Sequence, residues 1–199
     1  MLAKVISFAP NRIDAASKLA KALESAHIGG VKTNRDFLIN CLKSPEFLKG
    51  NTTTDFIERV NPDRKLIINE DDLHHATVIA TLWIQMKNRD EARVAKFMPS
   101  GWTNVRLPKQ KIIFEYEGQE IKVKYSQNRN GQFSFSDNKV AQIYSSDKES
   151  IDVMFDGKRH ISKITSSENN ILVHMPYGDV MLNVKPKFTL PGLEVAAGG

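Results

Sequence analysis

The sequence predicts a mixed α+β protein, in which a short strand and several helices precede a long helix and an antiparallel β-barrel of eight strands. Three observations predict this order. Apolar residues recur at helical spacing over about the first 96 residues. From Lys111 onward they alternate with polar residues, as in half-buried strands. Short turn signals such as Asp156-Gly157 then divide the alternating part into eight runs.

Short helices are predicted over the first 60 residues. Asn11 is a preferred N-cap residue, and Gly29-Gly30 and Gly50 interrupt the helical spacing. The predicted elements are a strand over Ala3–Ala9 and helices over Arg12–Ser25, from Thr33 to about Lys43, from Pro45 to before Gly50, and from Thr53 or Thr54 to Ile57.

A polar stretch over residues 61–70, which includes Asn61-Pro62-Asp63-Arg64, is predicted to link two domains. Asp71 and Asp72 then place negative charge at the start of a long helix that is predicted to end at about Lys96. From Ala76 to Met86 this helix is apolar on nearly every side, so other elements must surround it. The predicted domains are therefore residues 1–60 and 71–184, followed by a second linker over residues 185–199.

The eight predicted strands form an antiparallel meander. Ile121, Val123 and Tyr125 alternate with polar residues, so one face of such a strand is expected to be apolar. Closure into a barrel removes exposed strand edges, and the long helix is expected to fill the barrel. The predicted strands are Lys111–Tyr116, Gln119–Ser126, Gln132–Phe135, Lys139–Tyr144, Ser150–Phe155, Lys158–Thr165, Asn170–Met175 and Asp179–Val184.

The composition excludes several classes of protein. Hydrophobic residues make up 41% of the chain and charged residues 26%, as in ordinary globular domains. The apolar stretch Ala76–Ile84 is far shorter than the roughly 20 residues of a membrane-spanning helix, and the first residues lack a signal-peptide pattern. A single cysteine, Cys41, excludes an internal disulfide. We therefore expect a cytoplasmic protein, or a protein of the mitochondrial matrix if the source is eukaryotic.

Histidines and the cysteine are the first candidates for chemistry, but a structural role fits them better. His74 and His75 are adjacent, so on a helix their side chains diverge by about 100° and cannot share a metal ion as an i, i+4 pair does. Cys41 lies on the apolar face of its predicted helix, which favours a buried core residue over a reactive thiol.

Basic residues suggest an alternative function, a free-standing barrel that binds single-stranded nucleic acid. The net charge is +5, because 28 basic residues stand against 23 acidic ones. Lys122, Lys124 and the run Lys158-Arg159-His160 could form the binding face. The charges are scattered, however, and Phe114, Phe133 and Phe135 are predicted to face the barrel interior, so solvated strand faces are the simpler interpretation.

Several blocks of residues occur in a fixed order over the first 60 residues. They are Gly29-Gly30-Val31-Lys32-Thr33-Asn34, Phe37-Leu38, Ser44-Pro45-Glu46-Phe47 and Thr53-Thr54-Asp55-Phe56-Ile57-Glu58. In this order the blocks resemble the last segment of the biotin carboxylase domain of acyl-CoA carboxylases, and Met1–Arg12 resembles the strand and turn before it. The resemblance implies that the first 60 residues are the end of a truncated α/β domain.

The long helix, the segment Phe97–Asn104 and the eight strands follow in an order that resembles the next domain of the biotin-carrying alpha subunit, called the BT domain. The resemblance implies that the helix lies within the barrel. It also implies that the connection after the helix, called the hook, contacts the carboxyltransferase beta subunit. The expected function of this chain is therefore assembly of the alpha subunit with the beta subunit.

The family's two reactive sites have no counterpart in this sequence. It has no Gly-rich phosphate loop, and Met86-Lys87 is followed by Asn88, where the biotin-accepting motif has methionine. The resemblance implies that the parent enzyme is a ligase that uses biotin, ATP and Mg or Mn. We expect this chain to be an interior segment with no catalytic, cofactor or metal site. Its other expected partners are the biotin carboxylase core and the biotin carboxyl carrier domain of the parent chain.

Trp102 is the predicted anchor for the beta subunit, because a large aromatic side chain in a Pro-Ser-Gly loop is hard to bury locally. The alternative is that Trp102 covers the open end of the barrel core. The neighbouring residues are expected to shape the loop or, in the case of the arginine, to reach an acidic group of the partner. The predicted docking residues are Pro99, Ser100, Gly101, Trp102, Asn104 and Arg106.

Overall fold

A computed structural model describes residues 3–94, 97–98, 102–105, 107–175 and 178–188 of the 199-residue chain. Within these ranges the chain forms two compact units. The helical unit comprises Met1–Leu73 with His174–Val180, and the barrel unit comprises His74–Val173 with Met181–Gly199.

Four short helices form the helical unit: α1 (Arg12–Ser25), α2 (Arg35–Lys43), α3 (Pro45–Lys49) and α4 (Phe56–Val60). Asn11 caps α1 as predicted, since its Oδ1 accepts a hydrogen bond of 2.8 Å from the backbone N–H of Asp14. The Ser44 side chain likewise accepts from the N–H of Phe47 and caps α3. Two of these helices therefore begin at residues whose side chains replace missing backbone hydrogen bonds.

A small apolar core holds α1 and α2 together. Its buried residues are Ala16, Ala20, Leu23, Ile39 and Leu42, and Leu19, Phe47, Leu48 and Leu66 pack against them. The predicted linker over residues 61–70 contributes Leu66 to this core. The Nδ2 group of Asn40 also donates to the carbonyl oxygens of Asp63 and Lys65, at 2.9 and 3.2 Å.

The predicted strand over Ala3–Ala9 is wrong, because residues 3–9 have no regular secondary structure. A strand needs a neighbour to satisfy its backbone groups, and the strands found in the described ranges all belong to the barrel. Ile6 and Phe8 are mostly exposed. The last short helix is also displaced, since α4 begins at Phe56 rather than at Thr53 or Thr54.

The long helix, α5, spans Glu70–Asp90 and ends before the predicted Lys96. Every residue from His75 to Trp83 is buried, as expected for a helix that is apolar all round. Beyond Asp90 the described side chains are mostly exposed, so additional turns would gain little from packing. No helix in the described ranges has the length and apolar character needed to cross a lipid bilayer.

The eight predicted strands are confirmed, each to within two residues at either end. They form a closed antiparallel barrel in sequence order, in which β1 also pairs with β8. The strands are β1 (Gln110–Tyr116), β2 (Gln119–Gln127), β3 (Phe133–Phe135), β4 (Val140–Ser146), β5 (Ser150–Phe155), β6 (Lys158–Ser167), β7 (Asn170–Met175) and β8 (Gly178–Val184).

The turn between β5 and β6 has the backbone that its sequence predicts. Asp156 and Gly157 have φ of +52° and +73°, so both central residues are left-handed, as a type I′ turn requires. At Asn130-Gly131 only the glycine has positive φ, at +83°. That pair lies in a longer loop, where the two-residue rule does not apply.

Aromatic rings fill the barrel unit, and Phe114, Phe133, Phe135 and Phe155 are among its most deeply buried side chains. Helix α5 contacts the strands by polar groups as well. The Tyr125 hydroxyl shares its hydrogen between Oε1 of Gln85 and Oε1 of Gln110, each at 2.9 Å. Burial raises the pKa of Tyr125 to about 12, so this hydroxyl remains a donor at neutral pH.

Candidate functional site

The predicted docking residues lie in the segment between α5 and β1, residues 91–109, which we call the α5–β1 connection. Trp102 and Asn104 are both exposed. The predictions for Pro99, Ser100, Gly101 and Arg106 lie outside the described residues.

Large apolar side chains are exposed along the α5–β1 connection. Trp102 is 56% exposed and Phe97 is 89% exposed. Each Å² of apolar surface left in water loses roughly 25 cal/mol of possible burial free energy, so these side chains would be stabilised if a partner covered them. The described members of this set, which we call the apolar set, are Val94, Phe97, Trp102, Val105 and Leu107.

Hydrogen bonds hold the described parts of the connection at several points. The guanidinium group of Arg89 donates to the carbonyl oxygen of Met98. The Thr103 hydroxyl donates to the carbonyl oxygen of Val105 at 2.8 Å and accepts from the Val105 N–H at 3.1 Å. Near β1, Nζ of Lys109 donates to the carbonyl oxygen of Phe135 at 2.7 Å. Trp102 therefore precedes a turn whose backbone is fixed by a neighbouring side chain.

The two adjacent histidines of α5 face different surroundings. His74 Nε2 lies 2.9 Å from Oδ2 of Asp137. His75 is buried, and its ring centroid lies 5.4 Å from that of Phe155 and 5.0 Å from that of His160. The divergence predicted for this pair thus places His74 beside the Asp137 carboxylate and His75 among buried rings.

Acid is expected to destabilise the barrel unit through His75. Burial lowers the pKa of His75, and the nearby His160, His74, Lys139 and Lys158 lower it further. Below the usual histidine pKa of about 6.5, the unfolded chain binds a proton that the folded chain does not. The free energy of unfolding should therefore fall as the pH is lowered from 7 towards the depressed pKa. The pH dependence of urea denaturation measures this loss.

His75→Leu should flatten that pH dependence, because leucine is apolar and does not titrate. The Nε2 atom of His75 has no hydrogen-bond partner among the described residues, so its removal leaves no new buried polar group. His74→Leu is the matched control and should keep most of the acid sensitivity. An unchanged slope in His75→Leu would contradict the assignment.

Two basic residues of the barrel, Arg159 and Lys139, are paired with acidic ones. Arg159 donates through Nε and Nη2 to the two carboxylate oxygens of Asp152, at 2.9 and 2.6 Å, and its guanidinium lies 5.2 Å from the Tyr144 ring centroid. Lys139 Nζ lies 2.8 Å from Oδ2 of Asp156. Because these two charges are compensated locally, Arg159 and Lys139 attract a polyanion less than unpaired basic residues would.

The predicted burial of Cys41 is confirmed. Burial raises the pKa of its thiol, which lowers the fraction of reactive thiolate at neutral pH. A role in the packing of α2 therefore accounts for this residue.

A second polar cluster lies within the helical unit and consists of His27, His174 and Asp179, which we call the His-His-Asp cluster. One nitrogen or oxygen atom from each residue lies within 4.8 Å of the others. His174 Nδ1 forms a hydrogen bond with Oδ1 of Asp179, and the two histidine rings meet edge to face with centroids 5.2 Å apart. Imidazole and carboxylate are ligand types that bind transition metals.

Arg35 organises this cluster. Its side chain is only 4% exposed, and its Nη1 lies 3.0 Å from Oδ2 of Asp179. The same nitrogen donates to the carbonyl oxygen of Ala26 at 2.7 Å, next to His27 in the chain. The sequence analysis did not single out this cluster, because its members belong to no short motif and meet only through the fold.

Comparison with known proteins identifies the beginning of the chain. Residues 1–59 match the family of biotin carboxylase C-terminal domains. Pyruvate carboxylase 1 of Caenorhabditis elegans is 45% identical over 58 residues, which cover 29% of this chain and 5% of the relative.

Two relatives align over much more of the chain. The mitochondrial methylcrotonoyl-CoA carboxylase subunit alpha of Mus musculus is 29% identical over 160 residues, which are 79% of this chain and 21% of the relative. The propionyl-CoA carboxylase alpha chain of Ruegeria pomeroyi is 23% identical over 191 residues, or 93% of this chain and 28% of the relative. The chain thus spans between 5% and 28% of the length of these three relatives. Residues 1–59 therefore match the biotin carboxylase C-terminal domain family, and the chain is similar to biotin-dependent carboxylases, which are ligases.

Proposed function

We propose that this chain is part of the alpha subunit of an acyl-CoA carboxylase and that its barrel unit holds this subunit against the carboxyltransferase beta subunit. The apolar set on the α5–β1 connection is the observation that carries the proposal. Large apolar side chains exposed within one connection are stabilised when a partner covers them.

Two long alignments favour an acyl-CoA carboxylase over a pyruvate carboxylase. The pyruvate carboxylases of worm, mouse and human align over 58 to 63 residues, close to the length of the first domain. The methylcrotonoyl-CoA carboxylase subunit alpha of Mus musculus and the propionyl-CoA carboxylase alpha chain of Ruegeria pomeroyi align over 160 and 191 residues, which must include much of the barrel unit. The methylcrotonoyl-CoA carboxylase subunit alpha of Rattus norvegicus aligns over 63 residues. Similarity in the barrel unit therefore supports the acyl-CoA carboxylase assignment.

Within this proposal Trp102 is the anchor. Binding energy at interfaces concentrates in a few residues, among which tryptophan is over-represented. More than half of the Trp102 side chain is exposed, which favours the docking role over the alternative in which Trp102 covers the barrel core. Asn104 is exposed two residues later and can contribute polar contacts at the edge of the interface.

In this proposal, the present chain assembles the subunits, and other domains of the enzyme catalyse the reaction. The parent enzyme would carboxylate biotin with ATP and Mg or Mn, and would then transfer the carboxyl group to an acyl-CoA on the beta subunit. We propose that the residues of this chain bind none of these cofactors. The biotin carboxylase core and the biotin carboxyl carrier domain would belong to the same parent chain.

Association with the beta subunit tests the proposal directly. The 199-residue chain is mixed with the carboxyltransferase beta subunit of the same organism, and complex formation is measured by gel filtration and isothermal titration calorimetry. A stoichiometric complex at micromolar concentrations is expected. The variant Ile161→Ala, which alters a side chain on β6 that is 71% exposed, should bind as the wild type does. The absence of any complex under these conditions would refute the docking function.

A further inference from the structure

We propose that His27, His174 and Asp179 form a zinc-binding site in the helical unit. The three side chains each direct one possible ligand atom to a common region, with all three atoms within 4.8 Å of one another. This site is separate from the α5–β1 connection, so it does not depend on the proposed docking function.

The donor set suits zinc. Zn²⁺ is bound by imidazole nitrogen at about 2.0–2.1 Å and by carboxylate oxygen at about 2.0–2.2 Å, usually with tetrahedral geometry. Ligand atoms around such an ion lie roughly 3.3 Å apart, so separations of up to 4.8 Å would have to close by at most about 1.5 Å. Three protein ligands leave a fourth position for water. Two imidazoles with one carboxylate favour zinc over magnesium or calcium, which prefer oxygen ligands.

Partial burial distinguishes the His-His-Asp cluster from a chance group of surface residues. The side chains of His174 and Asp179 are 13% and 18% exposed. In the absence of metal, His174 Nδ1 and Asp179 Oδ1 share a hydrogen bond. A zinc ion would take the place of the proton between these two atoms and would also engage the ring of His27.

Arg35 is a positioning residue for the proposed ligands. It contacts Oδ2 of Asp179 and leaves Oδ1 facing His174. Its bond to the carbonyl oxygen of Ala26 fixes the backbone beside His27. Groups that orient ligands in this way raise the metal affinity of a site.

The positive charge of Arg35 is compensated, which matters because a nearby cation repels zinc. Asp36 Oδ1 lies 3.1 Å from Nη2 and 3.2 Å from Nε of Arg35. Asp36 therefore neutralises the guanidinium from one side, while Asp179 remains available to the ion from the other. With two neutral imidazoles, the occupied site would carry one net positive charge, counting Zn²⁺, Asp179, Arg35 and Asp36.

Zinc titration of the tag-free, 199-residue chain tests the site. The chain is first treated with a chelator, and ZnCl₂ is then added in a calorimeter while thermal unfolding is followed in parallel. One zinc ion per chain and a rise in melting temperature are expected. His27→Gln should weaken zinc binding by at least about 10-fold. Loss of a residue that only orients a metal ligand already lowers metal affinity by about 10-fold or more, and loss of a ligand itself should cost more.

His74→Gln is the matched control, since His74 also lies beside a carboxylate, Asp137, but in a histidine–aspartate pair without a second imidazole ligand. Its zinc affinity should equal that of the wild type. If His27→Gln does not fold without metal, the test is instead the visible absorption spectrum of the wild-type chain after addition of Co²⁺. Four-coordinate Co²⁺ absorbs visible light far more strongly than the hydrated ion. The absence of stoichiometric zinc binding, an equal loss in His74→Gln, or a spectrum of hydrated Co²⁺ would each overturn the proposal.

Discussion

Replacing Phe155 with alanine is expected to lower the free energy of unfolding of the barrel unit by about 3–5 kcal/mol. Phe155 is fully buried, and its ring lies 5.6 Å from that of Phe135 and 5.4 Å from that of His75, measured between centroids. The substitution removes apolar surface and leaves a cavity between β5 and α5. Because the neighbouring rings belong to a strand and a helix, the cavity cannot collapse without moving both elements.

Urea denaturation followed by tryptophan fluorescence measures this loss. The chain has two tryptophans, so a Trp102→Phe background leaves Trp83 of α5 as the single emitter. Trp83 is buried, and its Nε1 donates to the carbonyl oxygen of Asp147 at 3.0 Å, so its emission reports the packing of α5 in the barrel unit. Ile161→Ala, at an exposed position of β6, should change stability by no more than about 0.5 kcal/mol. A loss below about 1 kcal/mol for Phe155→Ala would contradict the packing described here.

Replacing Trp102 with alanine is expected to weaken the proposed complex with the beta subunit by about 2 kcal/mol or more, which corresponds to roughly a 30-fold rise in Kd. The physical reason is that the exposed indole ring is removed from water only in the complex, so its burial stabilises the complex and not the free chain. The stability of the isolated chain should change little, because the side chain is already 56% exposed. Titration calorimetry gives the change in Kd, and thermal unfolding gives the change in stability.

The two measurements together separate the two roles considered for Trp102. If Trp102 is an anchor, Trp102→Ala binds the beta subunit more weakly and keeps the wild-type melting temperature. If Trp102 covers the core, Trp102→Ala has a lower melting temperature and nearly unchanged affinity. Ile161→Ala again serves as the control, because it removes exposed apolar surface outside the α5–β1 connection. A lower melting temperature with unchanged affinity would assign Trp102 to the core.

Local signals account for most of the correct predictions. Alternation along β2, where buried Val123 and Tyr125 flank exposed Lys124, and the Asp156-Gly157 turn after β5 are properties of adjacent residues, and both were predictable without knowledge of the fold. The same holds for the start of α1, where the Asn11 side chain accepts a hydrogen bond from the backbone N–H of Asp14, three residues later. The continuous apolar character of α5 also predicted its burial, because a helix without a polar face needs neighbours on every side.

The incorrect predictions concern features that depend on distant partners. Residues 3–9 are apolar enough for a strand, yet strand formation requires a second strand to pair with. Helix α5 ends at Asp90 because packing stops there, whereas helical propensity alone continues to about Lys96. The docking roles of Trp102 and Asn104 stay predictions, since exposure is a property of the chain alone and binding requires the partner.

The sequence by itself determined the order of the helices, the barrel strands, the buried helix and the relationship of the first 60 residues to biotin carboxylases, because each rests on neighbouring residues or on short blocks. Only the tertiary structure decided that His27, His174 and Asp179 meet around Arg35 and that the apolar set is exposed on the α5–β1 connection. The reason is physical: hydrogen bonds, caps and alternation act within a few residues, whereas burial and ligand geometry depend on groups brought together from distant parts of the chain.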